Sequence, residues 1–255
     1  MTAVELRLEG LGVQYGSGHW AVRGIDLVVP AGSVMGVVGE SGSGKSTIAR
    51  AAVGLAPVTE GRILLDGQDA PRAGRGPRPV QMVFQDPSSA LDPRRTIGSA
   101  VAEGMGDVRG AARAAAVAEL LEQVHLDPAV ADRYPADLSG GQRQRVAIAR
   151  ALAAQPRVLF ADEITSALDV SVQGAVLNQL RAIQRDLHLT TVFISHNLAV
   201  VAYMSDYITV MRDGRIVESG PAEELVADPQ ETYTQELLAA VPSVSERFLD
   251  PEVPR

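Results

Sequence analysis

Short apolar runs alternate with amphipathic stretches along most of this chain. Residues 4–9 and 25–29 are rich in Val, Leu and Ile and predict strands. A further apolar run, 33–38, stops at Gly39 and gives way to a helical pattern from about Lys45 to Gly54. Strands are expected near 61–65 and 80–84. Between them Ala70 to Pro79 is dense in Pro, Gly and Arg, and reads as a surface loop rather than a functional basic patch. From Ser88 to about Asp137 the strand signals stop, and an Ala-rich helix near 111–124 lies among several breakers. That stretch predicts a helical insertion. A long helix follows at 139–154, then a strand at 157–161, a helix at 171–186, a strand at 190–195 and a helix at 197–204. Strands near 207–211 and 214–218 and short helices at 221–227 and 231–240 complete the pattern. Strands alternating with helices imply an α/β fold with a mainly parallel sheet covered on both faces. No internal repeat is visible.

Composition narrows the function classes. With 255 residues, 46 % of them apolar, the chain has room for one large α/β domain with its own core. Cysteine is absent, which excludes disulfides, thiolate-bound metals and iron–sulfur clusters. Met1 to Gly10 lacks the apolar core of a secretory signal, and no apolar stretch approaches the roughly 20 residues that cross a bilayer. Any membrane span is therefore expected from another chain. The net charge of −8 argues against nucleic acid as a partner, because phosphate contacts need a basic face. Nearly all basic residues are arginine, and the single lysine, Lys45, sits in a glycine-rich loop.

That loop, Gly39-Glu40-Ser41-Gly42-Ser43-Gly44-Lys45-Ser46, matches G-x-x-x-x-G-K-[ST] in full, after a strand and before a helix. Its glycines let the backbone wrap phosphate oxygens, and the helix N-terminus adds positive potential. Lys45 is expected to reach the β- and γ-phosphates and the Ser46 hydroxyl to ligate Mg²⁺. Downstream, the apolar run Val158–Ala161 ends in Asp162-Glu163. At the carboxyl end of a strand, Asp162 is placed to hold the metal ion and Glu163 to polarise an attacking water. Leu138-Ser139-Gly140-Gly141-Gln142 is locally a capping box that starts a helix, yet capping alone does not require the Gly-Gly pair.

With these motifs in this order, the chain resembles the ATP-binding domains of ABC transporters along nearly its whole length. The resemblance rests on the phosphate loop, Gln85, Leu138–Gln142, Asp162-Glu163, Ser166-Ala167-Leu168-Asp169 and His196. It implies a P-loop NTPase fold of the ABC type: a RecA-like core with a β subdomain (1–87 and 138–240), a helical subdomain (88–137) and a tail (241–255). It also implies a head-to-tail dimer in which each ATP lies between the phosphate loop, through Thr47, of one protomer and Ser139–Gln142 of the other. Tyr15 matches the aromatic that stacks on adenine. Gln85 matches the glutamine that links metal and water to the helical subdomain. Ser166 to Asp169 match the loop that crosses the dimer interface, and His196 matches the γ-phosphate contact. One departure is Ile164, where many relatives carry proline.

Several stretches are similar to one branch of that family, the ATPases of oligopeptide, dipeptide and nickel uptake systems. These are Phe84 to Arg95, Thr165 to Gln173, Ser195 to Val201, Gly214 to Gly220 and the region Tyr233–Pro242. The branch implies import, with two transmembrane permease subunits, an extracytoplasmic solute-binding protein and a position on the cytoplasmic face of the membrane. Peptide and nickel or metallophore cargo both remain open, as do a homodimer and a heterodimer with a second ABC ATPase. Some peptide-system relatives carry a longer, cysteine-bearing C-terminal region, and that iron–sulfur site does not carry over here. Two alternatives within the family are an exporter ATPase and a soluble ABC ATPase acting on ribosomes or DNA. The acidic balance and the short interval between loop and signature disfavour the second.

Overall fold

The computed structural model describes residues 3–16, 18–71, 79–86, 90–166 and 170–240. Most of the loop expected at 70–79, the Ala167-Leu168-Asp169 segment and the tail 241–255 lie outside them.

The core is a six-stranded sheet. Its strands are β3 (Val34–Val38), β6 (Val80–Val83), β7 (Val158–Asp162), β8 (Thr190–Ile194), β9 (Tyr207–Arg212) and β10 (Arg215–Pro221). They lie in the order β10-β9-β3-β8-β7-β6, parallel except for the edge strand β10. Every residue of β3, β7 and β8 is buried, as expected for parallel strands covered on both faces. Successive side chains divide between two cores, with Val34, Val38, Leu159, Ala161 and Phe193 on one face. Met35, Val37, Val158, Phe160, Val192 and Ile194 fill the other. Phe160 and Phe193 are fully buried, one on each face, and burying a side chain of that size stabilises the fold by about 1.5–3 kcal/mol.

A second sheet of four antiparallel strands closes one of these cores. Its order is β2-β1-β4-β5, from β1 (Leu6–Tyr15), β2 (His19–Val29), β4 (Glu60–Leu65) and β5 (Gln68–Asp69). With α1 (Lys45–Ala52), it supplies Leu6, Leu8, Leu11, Ile25 and Ile48 to that face. The first two strands run longer than the sequence pattern predicts. The missing part, residues 10–24, contains five glycines, and the β1–β2 pairing shifts register three times between Leu8 and Gln14. Such bulges break the two-residue alternation by which a strand is recognised.

The other core is covered by helices. No strand lies among the described residues between Val83 and Val158, where the chain forms α2 (Ile97–Val101), α3 (Gly110–Gln123) and short 3₁₀ turns. Helix α4 (Gly140–Ala153) leaves this region and enters the sheet layer, contributing Val146, Ile148 and Leu152. Helices α5 (Val170–Leu187), α6 (Leu198–Met204), α7 (Ala222–Ala227) and α8 (Thr232–Ala239) complete the cover. Among the described residues no helix is long and apolar enough to cross a membrane.

Candidate nucleotide site

Four segments that carry expected site residues leave the same edge of the six-stranded sheet. The pairings Val37↔Ile194 and Asp162↔Ile194 align the carboxyl ends of β3, β8 and β7, and Val83↔Ala161 adds β6. The phosphate loop follows β3, Asp162-Glu163 end β7, His196 follows β8, and Gln85 follows β6.

The loop is shaped by what surrounds it. A Cβ on Gly39 would stand 2.1 Å from the Met211 carbonyl oxygen, so only glycine lets the loop turn against the end of β9. Gly44 has φ 100° and caps α1 in a left-handed conformation, and a Cβ there would be 2.4 Å from Val22 Cγ1. The Thr47 N–H donates to the Gly44 carbonyl at 3.0 Å, and no side chain caps the first turn of α1, so no side-chain cap competes with an anion at this helix N-terminus. Ser41 and Gly42 are exposed, Ser43 is buried and Thr47 is half-buried.

Lys45 is 5 % exposed. Its Nζ donates to the carbonyls of Gly39 and Glu40, each at 2.7 Å, and to Ser43 Oγ at 3.3 Å. Burial pushes its pKa down, against the opposing pull of Glu163, Asp162 and Glu40. Asp162 is likewise 5 % exposed. Burial raises its pKa, the neighbouring Glu163 carboxylate adds to that, and the hydrogen bond from Ser46 with the charges of Arg50 and Lys45 counteracts it. Ser46 Oγ donates to Asp162 Oδ1 at 3.0 Å. The structure thus brings together a hydroxyl and a carboxylate. That is an oxygen-only donor pair of the kind Mg²⁺ shares with substrate phosphates. No cluster of three or more His, Asp or Glu that could hold a metal without such help occurs among the described residues.

Glu163 adopts φ 48°, an uncommon conformation for a non-glycine residue. Its backbone N–H donates to the Ile194 carbonyl at 2.9 Å, and its carboxylate Oε1 lies 3.4 Å from His196 Nδ1. His196 precedes Asn197, whose side chain caps α6 by accepting from the N–H groups of Ala199 and Val200. Gln85 Nε2 donates to Ser166 Oγ at 3.2 Å, and that hydroxyl donates to the Glu163 carbonyl at 2.9 Å. Gln85 is therefore tied to the carboxylate turn through Ser166. The proline position taken by Ile164 is buried, with Ile164 1 % exposed.

Two groups of expected residues stand apart. Tyr15 ends β1 opposite His19, 41 % exposed, on the hairpin whose Val22 touches Gly44. Leu138 is buried, and Ser139 and Gln142 form the reciprocal capping box of α4, at 3.3 and 2.9 Å. Ser139 and Gly140 face solvent, and a Cβ on Gly141 would meet Val172 at 2.7 Å. The hydrogen bonds described for 138–142 are local and none reaches the phosphate loop. Of the interface loop only Ser166 is described, and Ala167, Leu168 and Asp169 are not. Sequence reasoning assigned no role to Tyr233, which the structure brings against the loop: its hydroxyl accepts from the Glu40 N–H at 3.1 Å.

Comparison with known proteins identifies the family. The profile of the ABC transporter family matches residues 22–166. The oligopeptide transport ATP-binding protein OppF of Lactococcus lactis is 44 % identical over 232 residues, which cover 88 % of this chain and 73 % of that protein. A Brucella ovis protein whose name refers to peptide import and ATP binding is 45 % identical over 250 residues, 93 % of this chain and 78 % of its own. Among solved structures, cbiO1 from Clostridium perfringens, part of the ABC transporter complex cbiONQ, superposes with a TM-score of 0.79 at 28 % identity. The match covers 89 % of this chain and 92 % of that one. A dimeric ATP-binding cassette in a post-hydrolysis state with ADP and Pi gives 0.75 at 28 % identity, covering 85 % and 98 %. The chain belongs to the ABC transporter family.

Proposed function

We propose that this chain is the ATP-hydrolysing subunit of an ABC importer that takes up peptides through separate permease subunits. The observation that carries the reading is the convergence of Lys45, Ser46, Asp162, Glu163 and His196 on one sheet edge, held by the bonds just described. The names of the Lactococcus and Brucella relatives support peptides as cargo.

In this reading Gly39 to Thr47 wrap the triphosphate, and Lys45 exchanges the Gly39 and Glu40 carbonyls for phosphate oxygens. Tyr15 supplies a face for adenine. Ser46 and Asp162, with Gln85 nearby in the chain of contacts, hold Mg²⁺, whose charge when bound offsets the negative charge that develops on the phosphates. Glu163 orients the attacking water and accepts its proton, and His196 steadies the Glu163 carboxylate and meets the γ-phosphate. Leu138 to Gln142 of a second ATPase subunit close over the nucleotide, and Ser166 to Asp169 cross the interface between the two. ATP then bridges two chains, and its hydrolysis lets them part.

The units of this cycle are a RecA-like core with a β subdomain and a helical subdomain at about 88–137. Between them lies a groove of about 220 Å³ lined by Gln81, Val83, Phe84, Glu103 and Arg150. We assign the permease contact to it, at the cytoplasmic face of the membrane. The test is purification of tagged Glu163→Gln protein from its native membranes with ATP, followed by identification of what accompanies it. Two permease chains and a peptide-binding protein are expected. Recovery without permeases, or with ribosomes or DNA in their place, contradicts the importer.

A further inference from the structure

The phosphate loop is held from a direction that the catalytic constellation does not use. The turn between β9 and β10 reaches it first: the Gly214 N–H donates to the Ser43 carbonyl at 3.2 Å, and Gly39 turns against the Met211 carbonyl. Helix α8 reaches it second. Tyr233, in the first turn of α8, is 6 % exposed and its hydroxyl accepts the Glu40 N–H at 3.1 Å across 193 residues of sequence. The ring is fixed in turn, because the Arg212 guanidinium lies over its face at 4.7 Å. The start of α8 is tied to β10 by the Glu218 carboxylate, which accepts the N–H groups of Gln230 and Glu231 at 2.8 and 3.3 Å.

We propose that Tyr233 is a positioning residue for nucleotide binding, which fixes the first peptide of the phosphate loop through its hydroxyl. The Glu40 backbone is held at both ends: its N–H donates to the Tyr233 hydroxyl, and its carbonyl accepts from Lys45 Nζ and from the Ser43 N–H at 3.2 Å. Lys45 must release that carbonyl to reach a phosphate; the Ser43 bond that stays is internal to the loop, and the tyrosine bond then ties Glu40 to the rest of the fold. Loop glycines with positive φ at Gly39, Gly42 and Gly44 contribute no side-chain packing and carry high conformational entropy. A fixed partner on the N–H lowers the ordering cost that ATP binding must overcome. Tyr233 touches no phosphate in this scheme and has no part in moving the proton.

The inference rests on the reading of 39–47 as a phosphate loop, so its test carries a control for that reading. ATP binding to the full-length chain with Mg²⁺ is measured calorimetrically for wild type, Tyr233→Phe, Arg212→Leu and Lys45→Ala, alongside steady-state hydrolysis. Tyr233→Phe keeps the ring and removes only the acceptor. It is expected to weaken ATP binding about 2- to 10-fold, the scale of one net hydrogen bond. The KM for ATP should rise by a similar factor, with kcat at saturating ATP within about twofold of wild type. Arg212→Leu, which frees the ring, should act in the same direction and keeps the test available if the phenylalanine variant fails to fold. Unchanged ATP affinity in a folded Tyr233→Phe chain, or a fall in kcat with KM unchanged, overturns the positioning role. If Lys45→Ala also leaves affinity unchanged, the phosphate-loop reading fails as well; if it alone weakens binding, only the role of Tyr233 is lost.

Discussion

Ser46 Oγ donates to Asp162 Oδ1 at 3.0 Å, joining the first turn of α1 to the end of β7 across 116 residues of sequence. The bond links two buried or half-buried oxygens beside a second carboxylate, Glu163, and a buried lysine. The Glu163 carboxylate and burial both oppose ionisation of Asp162, and a bound cation would relieve that cost.

Asp162→Asn tests that tension directly. Burial and Glu163 raise the Asp162 pKa above its ordinary value, so the ionised side chain costs stability at neutral pH. The sign follows from linkage: the folded state binds the extra proton, and the penalty is relieved as pH falls through the raised pKa. The asparagine variant, without nucleotide, is expected to melt a few degrees higher than wild type at neutral pH. The difference should shrink on acidification, and Mg²⁺-dependent ATP binding should be lost. Thermal melts with and without MgATP check both halves.

Lys45→Ala should weaken ATP binding about 10- to 100-fold, the scale of losing a hydrogen bond from a charged donor. The same change leaves Asp162, Glu163 and Glu40, whose charges all act on Lys45, without their shared cation. Nucleotide-free stability should fall too. Calorimetric titration with MgATP and a melt of the empty protein measure the two effects separately.

The helical region is pinned by Glu103. Its carboxylate accepts from Arg95 at 2.6 Å and from Arg150 at 2.7 Å, and Arg150 also donates to the Ala90 carbonyl at 2.6 Å. Burial pushes the Glu103 pKa up, but Arg150 and Arg95 outweigh it and hold the carboxyl below its ordinary value. The stabilisation is therefore present above the ordinary Glu range and is lost as pH falls through the lowered value. The cluster is part-exposed, which limits the effect to about 1 kcal/mol or less. Glu103→Gln should lower the melting temperature by about 1–3 °C at pH 7 and match wild type in acid.

Much of the site was legible because its chemistry is local. The phosphate loop, the Asp162-Glu163 strand end and the Ser139–Gln142 cap each declare themselves within eight residues, and the strands that carry them are continuous apolar runs. What the sequence hid is nonlocal. The pairing of Gln85 with Ser166 and of His196 with Glu163 depends on strand order, which spacing does not encode. The antiparallel sheet is only partly visible in the sequence because glycines and bulges interrupt β1 and β2. Tyr233 lies in a short amphipathic helix and looks like a core tyrosine until its hydroxyl is seen to meet the Glu40 N–H.

In the proposed function Glu163 is the base that activates water, with its carboxylate beside His196 and its backbone pinned to Ile194. The most direct measurement is ATP turnover by Glu163→Gln and wild type in the same assembled complex, with bound nucleotide quantified in each. Turnover slowed about 10²- to 10⁴-fold is expected, with ATP retained and the ATPase subunits held together. Turnover near that of wild type, or a variant that no longer binds ATP, would contradict that role of Glu163.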